Sequence, residues 1–212
     1  MMQPVQAELF RRRGGKRPGA GRRVAPGKRA GVSHKAREKF DKRTAVHATV
    51  RMKWGVWNLR ARRCSSLIEG ALLALRRRGG FRVIEFSIQG NHVHLIVEAD
   101  SSVALSRGMQ SLCIRVARSL NGLMKRSGKV FADHFHSRTL NNPSEVANAI
   151  GYVVTNQEHH FGVPGLDECS SFALSRSRRE ELLPEAVGWL LRSGWRRARG
   201  LERRPWFKLL RL

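Results

Sequence analysis

From Ala45 the chain alternates between apolar and polar positions. "AVHATVRM" sets Val46, Ala48 and Val50 on one side of an extended segment and His47, Thr49 and Arg51 on the other, which is the period of a half-buried strand. The period then lengthens. "SSLIEGALLALRRRGG" carries Ile68, Leu72 and Leu75 at intervals of four and three, predicting a helix opened by Ser66 and Glu69 in capping-box spacing and closed by Gly79-Gly80. "FRVIEFSI" returns to strand, and the turn signal Gln89-Gly90-Asn91 joins it as a hairpin to "HVHLIVEA". A long amphipathic helix comes next over 102–127, with Leu105, Met109, Leu112, Val116, Leu120 and Leu123 as its stripe. "KVFADHFHSRTL" reads as a short strand. "NNPSEVANAIGYVVTNQEHH" opens a further helix, with Asn142 as N-cap and Pro143 in its first turn.

The order strand, helix, strand, strand, helix, strand, helix predicts an α+β fold. We expect an antiparallel sheet with helices packed on one face, in the ferredoxin-like or RRM-like manner. The pattern divides the chain into three regions: a basic flexible arm over 1–43, a central domain over 44–162, and a basic, partly helical extension over 163–212. In the extension, "LLPEAVGWLLRSGWRRAR" predicts an amphipathic helix with Val187, Leu190, Leu191 and Trp195 as its stripe.

Charge narrows the partner. Lys and Arg number 41 against 16 Asp and Glu, a formal net charge of +25, and such an excess calls for an anionic partner. No apolar run approaches the roughly 18 residues of a membrane span, so nucleic acid is favoured over lipid. Arg11, Arg12, Arg13, Lys16, Arg17, Arg22 and Arg23 lie among Gly and Pro in the arm, a composition suited to following a phosphate backbone and equally to a solubilising tail. Arg107, Arg115 and Arg118 lie off the apolar stripe of the long helix and are candidates for gripping phosphates. Cys64, Cys113 and Cys169 form no CxxC pair, which argues against a zinc finger or a disulfide framework and for a reducing intracellular compartment.

Candidate chemistry starts at His92 and His94. Two residues apart on a strand, they project from one face while Val93, Leu95 and Val97 project from the other. Paired imidazoles make half a site for a divalent cation; an ordinary solvated pair is the competing reading. Tyr152, the only tyrosine, falls opposite the helical stripe of Val146, Ile150 and Val153, with Glu145, Asn148, Asn156 and His159 sharing its face. Asn156, at i+4, is placed to become a third ligand beside the histidines. A second His-x-His, His134 and His136, reads as DNA-contacting or structural. Glu98 and His47 share the face of the pair.

Taken together, "NHVHLIVE", "VFADHFHSR" and "EVANAIGYVVTN" resemble the IS200/IS605-like HUH transposases, or Y1 transposases, and especially the relatives associated with repeated extragenic palindromes. The resemblance spans about 45–160. It implies a transposase that cleaves single-stranded or hairpin DNA through Tyr152, forming a 5′-phosphotyrosine link, with Mg²⁺ or Mn²⁺ held by His92, His94 and Asn156. Two imidazoles are softer ligation than Mg²⁺ usually selects, which keeps Mn²⁺ in contention. The resemblance further implies a bacterial, cytoplasmic, nucleoid-associated protein, and leaves monomer and homodimer both open. Two other functions remain: a non-catalytic nucleic-acid-binding protein descended from a transposase, and a metal-dependent hydrolase using water at the same site.

Overall fold

The computed structural model describes residues 38–209, the side chains of 159–161 excepted. Four strands, β1 (Thr44–Arg51), β2 (Phe81–Ile88), β3 (His92–Ala99) and β4 (His136–Leu140), form one sheet in the order β2-β3-β1-β4. Every pairing is antiparallel. With helices α1 (Arg62–Leu73), α2 (Ser102–Leu123) and α3 (Pro143–Val154) packed on this sheet, the architecture is α+β, as the pattern predicts, although α1 and α2 share one face and α3 takes the other. Among the described residues no helix is long and apolar enough to cross a membrane.

One face of the sheet is closed by α1 and α2. Val46, Ala48 and Val50 of β1 and Val93, Leu95 and Val97 of β3 meet Ile68 and Leu72 of α1 and Leu105, Met109, Leu112 and Val116 of α2. Contact is close at Gly108, where the Phe81 ring occupies the space that a Cβ would need. The other face carries a second core at one end, where Ile84, Ile96 and Leu140 pack against Val146, Ile150 and Val153 of α3.

Strand β2 supplies both faces through an irregularity. Phe81 and Val83 point into the first core, the pairing with β3 then shifts between Val83 and Glu85, and Phe86 and Ile88 resume the inward positions. A bulge of this kind inserts one residue and reverses the in-and-out parity of the rest of the strand. Its consequence is that Glu85, Ser87 and Gln89 emerge on the face of the histidines.

Several boundaries differ from the sequence expectation. Helix α1 begins at Arg62, four residues before Ser66, and no side chain caps it. Buried Cys64 extends the apolar stripe one turn earlier, and Glu69 pairs with Arg178 at 2.9 Å rather than capping. Helix α2 ends at Leu123, where Met124 caps it and Lys125 turns to φ 49°. Downstream lie α4 (Asn156–Phe161), α5 (Arg176–Leu182) and α6 (Trp189–Arg192). The amphipathic helix expected across 182–199 is only the short α6 and a 3₁₀ turn over Gly194–Arg197. Residues 183–188 form no regular element; there the backbone N–H groups of Val187 and Gly188 donate to the Glu98 carboxylate at 3.1 and 2.6 Å. Leu182 and Leu183 join the first core, while Leu191, Trp195 and Leu201 join the second.

Candidate active site

The register of the sheet assembles the site in rows. His94 lies opposite Ser87 on β2 and Thr49 on β1, and Thr49 lies opposite His136 on β4. One row along, His92 faces Arg51, and in the other direction His47 faces Arg138. Residues directly opposite in an antiparallel pair share a face. His92, His94, His47, Ser87 and Arg138 therefore belong to one surface.

The histidine rings are near neighbours, 4.7 Å apart and almost perpendicular. Each is held through Nδ1: His92 by the Asn91 side-chain oxygen at 2.8 Å, His94 by Thr49 Oγ1 at 3.1 Å and His47 Nε2 at 3.2 Å. Fixing one ring nitrogen directs any ligation to the other, so Nε2 is the atom through which each ring could hold a cation.

Tyr152 reaches this surface from α3, whose start is fixed by the Asn142 side chain accepting from the Glu145 N–H and by Pro143 in its first turn. Its ring meets His94 edge-on at 4.9 Å and His47 at 6.1 Å. A cleft of about 280 Å³ lies between them, lined by His47, His94, Arg138, Leu140, Glu145, Asn148, Ala149 and Tyr152. Burial pushes the Tyr152 phenol above its ordinary value. Burial, with His136 and Arg138 adding positive charge nearby, pushes His47 down to about 4, which leaves it neutral at pH 7. Beside Tyr152, Gly151 is packed so closely by the Trp206 indole that no Cβ would fit.

Asn156 does not continue the helix of Tyr152. The hydroxyl and N–H of Thr155 both donate to the Gly151 carbonyl at 3.0 Å, but Thr155 itself turns to φ −110° and ψ 18°, so α3 stops there and Asn156 begins α4. The residue is nonetheless brought to the sheet. It is fully buried, its Nδ2 donates to Ser87 Oγ at 3.3 Å, and its Oδ1 has no hydrogen-bond partner among the described residues. A buried amide oxygen left over next to Ser87, which lies directly across from His94, fits a divalent cation taking mixed nitrogen and oxygen ligands. No group of three or more His, Cys, Asp or Glu that could hold a metal occurs among the described residues, so a cation here depends on that amide.

Other expected residues are distributed differently. Arg107, Arg115 and Arg118 are exposed on α2, which covers the face away from the histidines. Arg107 lines a larger cleft of about 660 Å³ around the β4 edge, where Arg138 and His136 also contribute. Glu98 is buried against Arg82 at 2.8 Å and anchors 187–188 rather than the site. Arg11, Arg12, Arg13, Lys16, Arg17, Arg22 and Arg23 lie outside the described residues. Arg138 and Ser87 carried no sequence signal of their own; each is placed at the site by strand register.

The model of the family described as IS200-like transposases matches residues 45–156, just over half of the 212 residues. The chain belongs to the IS200-like transposase family. A solved REP-associated tyrosine transposase bound to a REP hairpin matches this transposase with a TM-score of 0.53 and 14% identity, covering 74% of this chain and 94% of its own. That match shares the fold. A protein from Deinococcus radiodurans assigned as a transposase aligns at 12% identity and a TM-score of 0.39, over 54% of this chain and 88% of its own, a likeness too loose to carry weight. Among curated proteins, none matches the sequence.

Proposed function

We propose that this IS200-like transposase cleaves and rejoins single-stranded DNA at hairpin-forming sequences, with Tyr152 as nucleophile and with Mg²⁺ or Mn²⁺ held by His92, His94 and Asn156. The observation that carries the reading is the edge-on contact of the only tyrosine with His94 inside one chain. Tyr152 Oη attacks the scissile phosphorus and loses its proton as the new O–P bond forms. The 3′-oxygen leaves and takes up a proton, giving a 5′-phosphotyrosine link and a free 3′-OH. The link keeps the ester bond energy, so a 3′-OH can later reverse the step without ATP.

When bound, the cation would neutralise phosphate charge and polarise the P–O bond. The chain supplies the rest. Nδ1 contacts hold both histidines in one orientation, Arg138 adds fixed positive charge at the cleft, and α3 presents the phenol. Burial, which raises the phenol, keeps Tyr152 protonated in the resting site. The hairpin in the structural relative supports a hairpin substrate for this chain. The arm residues Arg11 to Arg23 and the α2 residue Arg107 would contact its backbone.

Incubation with labelled single-stranded hairpin DNA and Mn²⁺, followed by a denaturing gel and mass spectrometry, tests the reading. A DNA adduct on Tyr152 that vanishes in Tyr152→Phe and His92→Ala is the expected result. Cleavage that persists in Tyr152→Phe would instead assign water as nucleophile, and tight binding without cleavage would assign a binding protein.

A further inference from the structure

Eleven residues beyond Asn156, outside the stretch matched to the family, Asp167 is fully buried. Its backbone N–H donates to the Val154 carbonyl at the end of α3 at 2.7 Å. Its carboxylate accepts from Arg60 at 2.6 Å, from Ser87 Oγ at 2.7 Å, from Gln89 Nε2 at 2.6 Å and from the Cys169 N–H at 3.0 Å. A buried ionic group with so many partners reads first as a staple for the residues beyond 162. Its contact with Ser87 has an effect at the histidine face as well.

A serine hydroxyl has one proton to donate and two lone pairs with which to accept. Ionised Asp167, paired with Arg60, can only accept, so the Ser87 proton goes to Asp167. Ser87 Oγ is left as an acceptor, and it takes Gln89 Nε2 at 2.6 Å and Asn156 Nδ2 at 3.3 Å. With its NH₂ committed to Ser87, Asn156 has one amide orientation, the oxygen on the far side. That oxygen is the buried atom without a partner. Gln89 is turned by the same logic, and its Oε1 is likewise buried and unpaired. Ser87 sits directly across from His94, and the Gln89 N–H donates to the His92 carbonyl at 2.8 Å.

We propose that Asp167, acting through Ser87, is a positioning residue that holds the Asn156 amide with its oxygen presented to the cation of the His92 and His94 site. The proposal rests on the cation-dependent reading above. Were Ser87 free to donate, Asn156 could flip and offer NH₂, which ligates no cation. The residues after 162 thus help to build the metal site as well as to bind the domain.

The test is Mn²⁺ affinity of the full chain without DNA, followed by the electron paramagnetic resonance of free Mn²⁺, with thermal melting alongside. Ser87→Ala and Asp167→Asn are each expected to weaken Mn²⁺ binding by about 10- to 100-fold, the usual effect of removing a residue that orients a metal ligand. Ser87→Thr, which keeps the hydroxyl, is expected to retain affinity; a role confined to packing would not separate Ala from Thr in this way. If Asp167→Asn does not fold, Ser87→Ala decides alone. Folded Ser87→Ala binding Mn²⁺ within twofold of the wild type overturns the proposal while leaving the cation site intact. Equal binding by wild type and His92→Ala overturns both this proposal and the cation reading beneath it.

Discussion

On one face of the sheet the inward positions of β1, β2 and β3 are apolar and meet two helices; on the other, His47, Thr49, Ser87, Gln89, His92 and His94 interrupt the apolar pattern. Burial is nearly as deep on the second face: Ser87, Gln89 and Asn156 are each fully buried. The difference lies in what holds the side chains. Dispersion and the hydrophobic effect are indifferent to a few degrees of rotation, whereas a hydrogen-bonded network fixes which atom points where. The α1/α2 face therefore serves folding alone, whereas the histidine face, which shares in the fold through the second core at one end, also governs which atoms can react.

Substitutions that touch one face alone break or sharpen this division. Tyr152→Phe is expected to lower adduct formation at least about a thousandfold in a gel assay, while shifting the melting temperature little. Leu95→Ala, fully buried on the α1/α2 face, is expected to cost about 2–5 kcal/mol in denaturant unfolding, with the folded fraction reacting normally. Were Leu95→Ala to alter the chemistry of folded molecules, the two faces would not be separable.

Protonation offers a gentler probe. His47 has a folded value of about 4 against an ordinary 6.5. A histidine lowered on folding contributes stability that is whole above about pH 6.5 and lost as the pH falls through about 4, here up to about 3 kcal/mol. Melting of the metal-free protein between pH 7 and 4 should show this fall, and His47→Gln should flatten it. Smallest is the contrast between arginines. Arg138→Ala at the cleft is expected to reduce cleavage about tenfold, and Arg118→Ala on the opposite face less than twofold, both compared at low salt. Equal losses would mean that DNA wraps both faces.

The helices, the hairpin and the histidine pair were legible because each depends on local periodicity. A spacing of two on a strand dictates a shared face, and Tyr152 stood out by falling off its own apolar stripe. The features that were not legible depend on a break in period. The bulge after Val83 decides which face Ser87 takes, and "FRVIEFSI" does not announce it except by the resumption of Phe86 and Ile88 on even positions. Asn156 reaches Ser87 of the sheet from the start of α4 rather than from one more turn of α3, because the backbone leaves helical geometry at Thr155. Asp167 lies in a stretch with no periodicity, and only tertiary contact reveals it. The non-helical run after Leu183 escaped prediction for the same reason: the backbone donors of Val187 and Gly188 are taken by Glu98, some 90 residues earlier in the chain.

The Trp206 indole resting on Gly151 ties two distant positions into one mutational unit. A methyl group at 151 has nowhere to go while an indole fills the space, and loss of the indole alone leaves a gap behind the segment that bears Tyr152. Among descendants of this chain the two positions are expected to drift as a pair, a larger residue at 151 accompanied by a smaller one at 206. Gly151→Ala, harmful by itself, should become tolerable in the company of Trp206→Leu.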